Sequence, residues 1–251
     1  MKKIYLGLLV AFVTLFTSCQ FTENIYINED GSGRVSFSMD GSELMDMMGE
    51  EMAKEDEKVI DSTVSFKNLF DKERDSISKL PKAQQKKLKN LEKFNMHMLM
   101  DPKEKKMNMD LYADFKSVNE LQDMFAAMNT AGNMDKNKKS PAAGAGNPLS
   151  SLGSDGITET NYSFKNNTFK RLVTVLDKQK MDSIQQNLGQ AKMMFSASNY
   201  TLKYHFPRKI KSVSIENAVI SEDGKSFTAE INFMEYLQNP ETLNVEVELE
   251  K

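Results

Sequence analysis

Pairs of short runs with apolar residues at every second position, each pair closed by turn-forming residues, restrict the fold of this chain more than any other feature. Successive side chains of a strand point to opposite faces, so such a run buries one face of a sheet, and two runs joined by a tight turn pair as an antiparallel hairpin. The first pair places Phe21, Ile25 and Ile27 in alternation, turns at Glu29-Asp30-Gly31-Ser32-Gly33, and resumes with Val35, Phe37 and Met39. The second alternates Phe94, Met96, Met98 and Met100, turns over 101–105, and continues through Met107, Met109, Leu111 and Ala113. The third covers 157–165 and 168–176 around Asn166-Asn167.

A helix-start signal follows each hairpin. Asp40 with Glu43 predicts a helix over 42–54 that carries Leu44, Met45, Met48 and Met52. Ser117 with Glu120 makes a second capping box leading into Leu121, Met124, Phe125 and Met128, and Asp177 opens a third helix with Met181, Ile184, Leu188, Ala191 and Phe195. The recurrence is a weak structural repeat without matching identities. Residues 66–93 read as a helical excursion on the surface, broken at Leu80-Pro81 where proline suits a first turn.

The last part is strand-rich. Tyr200, Leu202, Tyr204 and Phe206 alternate, and Val213 with Ile215 forms a short strand. Segments 218–221 and 227–233 flank an Asp223-Gly224 turn, 234–237 make a helical turn, and Leu243, Val245, Val247 and Leu249 end the chain. The sum is an α+β fold of antiparallel hairpins alternating with helices, as a curved sheet or partly open barrel packed against helices. The stretch 131–156, with Lys136-Asn137-Lys138-Lys139 and Ser140-Pro141-Ala142-Ala143-Gly144-Ala145-Gly146, is a flexible linker or long loop between an N-terminal half, 19–130, and a C-terminal half, 157–251. A hairpin alone is too small to be stable, which favours one sheet shared across the linker.

Residues 1–18 have the layout of a signal peptide: Lys2 and Lys3, an apolar stretch over 4–16, then Thr17 and Ser18. That stretch is short of the roughly 20 residues that span a bilayer. Cys19, the only cysteine of the chain, stands where cleavage is expected, so its thiol is the expected lipidation site and the mature chain is expected to be lipid-anchored on a bacterial membrane, facing periplasm or cell surface, with the outer membrane favoured. The first strand begins almost at once, so the domain should sit close to the bilayer. No cysteine then remains for disulfides, and stability must come from a core supplied by Phe and Met, of which the full sequence has 15 and 18, in the absence of Trp. The formal net charge of −3, more negative still once Lys2 and Lys3 are removed, argues against nucleic acid as partner.

No group of residues predicts catalysis, and no cofactor is implied. Met96 and Met98 invite a copper(I) reading because soft thioethers suit that ion, but strand alternation already explains their spacing, as core-filling methionines would. His97 and His205 are the only histidines and lie in no metal or triad pattern, His205 reading as a solvent-side residue. Ser76-Ile77-Ser78-Lys79 fits an S-x-x-K string without its companion strings, Gly144-Ala145-Gly146 lacks the context of a phosphate loop, and Asn28-Glu29-Asp30-Gly31 is better explained by a glycine turn than by calcium. The acidic run around Glu50-Glu51 and Glu55-Asp56-Glu57, and the lysines 82, 86, 87, 89 and 93, read as solvated helix faces, the lysines also suiting anionic headgroups.

Leu15-Phe16-Thr17-Ser18-Cys19 resembles a lipobox, with Phe16 where leucine is usual. Together with the Asp30-Gly31-Ser32-Gly33 hairpin, the run Tyr200-Thr201-Leu202-Lys203-Tyr204-His205-Phe206-Pro207 and the Asp223-Gly224 hairpin, it makes the chain similar to exported lipoproteins of Bacteroidota and, more distantly, to LppM-like lipoproteins. The resemblance covers the two ends of the mature chain and not 42–156. It implies an α+β fold likened to lipid-binding folds, an apolar ligand, and no catalytic residues. The expected function is a non-enzymatic binding module for a lipid or an envelope protein partner, with a structural or assembly lipoprotein as the alternative.

Overall fold

The computed structural model describes residues 20–42, 45, 59–126, 157–186, 192 and 195–251. The expected signal peptide, Cys19, most of the 42–54 helix and the 131–156 linker lie outside them.

The expected hairpins form. Strands β1 (Gln20–Ile27) and β2 (Gly33–Asp40) pair antiparallel, as do β4 (Asn95–Asp101) with β5 (Lys106–Phe115) and β6 (Thr158–Lys165) with β7 (Thr168–Val175). Local chemistry sets each turn. In the first, Asp30 Oδ1 accepts from the Ser32 N–H at 3.0 Å and Gly31 takes φ 78°. In the third, Asn166 and Asn167 both adopt positive φ, 52° and 63°, as a two-residue turn of the primed type requires, and asparagine tolerates that region.

Strand β3 (Ile60–Ser65) is an addition to the expected set, exposed along most of its length, so its sequence carries almost no inward alternation. The remaining strands are β8 (Asn199–His205), β9 (Ile210–Val213), β10 (Val219–Ile220), β11 (Ser226–Asn232) and β12 (Val245–Leu249). Two sheets result where one shared sheet was expected: an eight-stranded one in the order β10-β11-β8-β1-β2-β5-β4-β3, and a four-stranded one in the order β6-β7-β12-β9. The first takes strands from both sides of 127–156, while the third hairpin leaves it to pair with the C-terminal strand. Neither sheet closes into a barrel, and both pack against helices in an α+β architecture.

Not every pairing is antiparallel. β8 lies parallel to β1, Phe21 level with Tyr200 and Ile25 with Tyr204. A period of two fixes which face a strand buries but not its direction, so nothing in the alternation distinguishes the two pairings.

One core joins the sheets. Phe169 on β7 meets the Tyr204 ring edge-on at 5.5 Å and the Phe206 ring at 5.6 Å. At the start of β1, Phe233 stacks on Phe21 at 4.4 Å, held there because the Asn232 side chain caps the helix Phe233–Gln238 by accepting from the N–H groups of Met234 and Glu235. The 66–93 excursion is the expected set of helices: α1 (Phe66–Lys72) and α2 (Arg74–Ser78) bury no residue, and α3 (Lys82–Leu91) buries Leu88 and Leu91. The predicted capping box at Ser117 is replaced by a start at Glu120, whose carboxylate accepts from Lys93 Nζ at 2.7 Å and from the Lys116 N–H at 3.5 Å. The short strand expected at Val213 and Ile215 lies earlier, as β9, with Ile215 packed against the core. Among the described residues no helix is long and apolar enough to cross a membrane.

Candidate functional site

The inward face of β1 reads Phe21, Glu23, Ile25, Ile27, so a carboxylate occupies a core position and is fully buried. The parallel register places Leu202 beside Glu23 and sets Tyr200 and Tyr204 on either side of it. Their hydroxyls donate to Glu23, Tyr200 to Oε2 at 2.7 Å and Tyr204 to Oε1 at 2.5 Å. From the second sheet Tyr162 donates to Oε1 at 3.2 Å, and Arg171 approaches Oε2 through a terminal guanidinium nitrogen at 3.4 Å. Arg171 also donates from Nε to the Tyr162 oxygen at 3.2 Å and from its other terminal nitrogen to the Leu243 carbonyl at 2.9 Å. A carboxylate has about four acceptor positions, and all are used here.

Such saturation explains how a charge survives in the core. Burial alone pulls the Arg171 pKa down, but the Glu23 carboxylate and the surrounding phenols outweigh it and leave the guanidinium well above its ordinary value. Burial, reinforced by the Glu23 charge, pushes Tyr200 and Tyr204 well above the ordinary phenol value, so both remain donors. Tyr162 is likewise raised by burial, against the pull of Arg171. The network ties β1 to β8 in its own sheet and to β6, β7 and the chain before β12 in the other. Its chemistry is cohesion, since every member is sealed from solvent.

Sequence reading passed over both charged partners. The signal was phase: Glu23 falls between Phe21 and Ile25 on the inward side, and Arg171 falls inward between Phe169 and Val173 while Leu172, pointing outward, is 52% exposed.

The methionines form a second feature. Cross-strand pairing sets Phe21, Met39, Met109 and Met98 in one row, and Met107, Met100 and Ile60 in the next. These methionines are half-buried, continuing the core face beyond Phe37 and Leu111 towards β3. Met96 sits opposite Leu111 and Met98 opposite Met109. His97 points to the other face, where its Nε2 lies 2.9 Å from Asp61 Oδ1. Among the described residues no group of three His, Cys, Asp or Glu is arranged to hold a metal ion.

His205 is not the simple solvent-side residue expected. It stacks on Tyr26 of the neighbouring strand, ring centres 3.9 Å apart and 7° from parallel, and its Nε2 is buried without a hydrogen-bond partner. Burial, followed by the nearby Lys203 charge, lowers its pKa below the ordinary 6.5. Ser76, Ser78 and Lys79 of the S-x-x-K string are exposed in the α2 region while Ile77 packs against the core, and Ser78 Oγ donates to the Asp75 carbonyl. Two shallow depressions are open to solvent. One of about 300 Å³ lies among the turns, with Asp30, Asn119, Lys165 and Arg208 in its wall. The other, of about 230 Å³, lies on the outer sheet face beside Gln20, Thr22, His97 and Asp110.

No protein-family model matches the chain, and no curated protein matches it in sequence. Among solved structures, the folded domain of the LppM protein of Mycobacterium tuberculosis, determined by NMR, aligns over 94% of this chain and 93% of its own at 8% identity, with a TM-score of 0.37. That is a weak structural resemblance.

Proposed function

We propose that this chain is a non-enzymatic envelope lipoprotein, held by lipid on Cys19 to the outer side of a bacterial membrane, whose methionine-lined sheet face takes up the apolar part of a lipid. The address rests on the layout of residues 1–19. The outer membrane is the favoured location.

One observation carries the binding reading. The row Met39, Met109, Met98 is level with Phe21, and the row Met107, Met100 lies one step further towards the N-terminal end of β1. The half-buried methionines therefore gather at the end of the sheet where β1 begins, at Gln20. Thioether side chains adapt to irregular apolar shapes, which suits acyl chains.

Native mass spectrometry of the full chain released from membranes, followed by lipid exchange, tests this. The wild type should carry or take up lipid, and Met98→Glu should lose it while remaining folded. Failure of the wild type to take up any lipid, with a protein partner trapped by crosslinking in intact cells instead, would favour a structural or assembly role.

A further inference from the structure

The larger depression, of about 300 Å³, forms where four segments meet beyond the end of β1: the turn of the first hairpin, the chain after β5, the turn of the third hairpin, and Arg208. Arg208 is fixed through one end of its guanidinium. Its Nη1 donates to Asn167 Oδ1 at 2.9 Å and to the Glu250 carbonyl at 3.4 Å, and Asn167 is held in turn because its carbonyl accepts from the Leu249 N–H at 2.8 Å. The opposite edge, Nε with Nη2, makes no hydrogen bond among the described residues. Nε is buried and unpaired, although Glu29 Oε2 lies 3.4 Å away. A buried donor without an acceptor is costly, and this edge of a guanidinium presents two parallel N–H groups that match the two oxygens of a carboxylate. Glu29 screens the edge without satisfying it, and with its side chain 66% exposed it is free to swing aside.

The charges of the wall come in both signs, Arg208 and Lys165 against Glu29 and Asp30. Asp30 is committed to its own turn, accepting from the Ser32 N–H at 3.0 Å and from Ser32 Oγ at 2.6 Å, whereas Lys165 makes no ion pair among the described residues. Glu29 beside the open edge repels a multiply charged anion, and a mostly polar wall offers little to an apolar ligand. The complement is a molecule that carries a carboxylate and an ammonium together. We propose that this depression binds a free α-amino acid, its carboxylate bidentate on Nε and Nη2 of Arg208 and its ammonium against the displaced Glu29 carboxylate, with Lys165 at the rim. The volume stands at the lower limit of small-molecule sites, roughly 300 Å³, which suits a ligand of that size. The site lies at the opposite end of β1 from the methionine rows, so it is independent of lipid uptake there.

Isothermal titration calorimetry of the full chain released from membranes, against the common amino acids one at a time, tests the proposal. At least one should bind saturably at a single site, and the same compound without its ammonium, or without its carboxylate, should bind about tenfold more weakly. Arg208→Lys keeps the charge but loses the two-pronged edge, and should weaken binding by about tenfold with the thermal unfolding transition retained. Glu29→Gln alters an exposed side chain and should bring the amino acid and its deaminated analogue to nearly equal affinity. Lys103→Ala, in a turn outside the depression, should leave binding unchanged. No binding by any amino acid at millimolar concentration overturns the proposal. So does a wild type that takes the deaminated analogue as tightly as the amino acid, or binding that survives both Arg208→Lys and Glu29→Gln unchanged.

Discussion

The most consequential single residue among those described is Glu23, a carboxylate committed to the core by the phase of its strand. Removing one member of a buried ion pair leaves the other unpaired in low dielectric, which costs about 3–5 kcal/mol. Glu23→Ala and Arg171→Ala should each lower stability by about that amount in denaturant titrations. The double replacement Glu23→Met with Arg171→Met should cost far less than the sum, because the attraction it loses was largely spent on desolvation. Additive losses would show that the two residues act independently. His205 gives a pH dependence with a definite sign. Its folded-state pKa lies below 6.5, so the unfolded chain binds the proton first as pH falls. The stability this histidine contributes is complete above pH 6.5 and declines as pH drops towards its folded value. His205→Phe keeps a ring against Tyr26 but cannot titrate, so its denaturation midpoint should vary less with pH over that range. Equal slopes for the two proteins would contradict the assignment.

At the scale of elements, hairpins were legible because turn chemistry and alternation agree locally. Asn166 and Asn167 mark their turn in sequence and adopt positive φ in the structure. Gly33 shows the same agreement at a close approach: a Cβ there would lie 1.9 Å from the Tyr26 carbonyl oxygen and 2.5 Å from the Phe115 ring. Gly33→Ala should therefore destabilise by about 2–3 kcal/mol, measured by thermal or denaturant unfolding, since backbone must move to admit it. What alternation left open is equally physical. Ile60, Asp61, Ser62, Thr63 and Val64 make an edge strand wet on both faces, so no inward phase exists to be read. The parallel union of β1 with β8 joins segments far apart in the chain through a pairing that period two does not specify. Glu23 and Arg171 were hidden for the opposite reason, as polar residues in apolar phases, where each looks like an interruption until the other is brought alongside.

For the molecule as a whole, the strand that follows Cys19 is an interior strand of the larger sheet. It is hydrogen-bonded on one side to β2 and on the other to β8, and Glu23 joins it to the second sheet. A pull on an N-terminal lipid would thus load two ladders in parallel and the buried ion pair with them, which suits a strand carrying an anchor. The methionine rows gather at that same end, so anchorage and the proposed lipid contact stand or fall on Cys19. The intact mass of the protein extracted from membranes tests this most directly. The expected product is a chain beginning at Cys19, without residues 1–18 and heavier by a diacylglyceryl group, and the Cys19→Ser form should keep its leader and lack the lipid. A wild-type chain that retains residues 1–18, or one that starts at residue 19 with a free thiol, would contradict it.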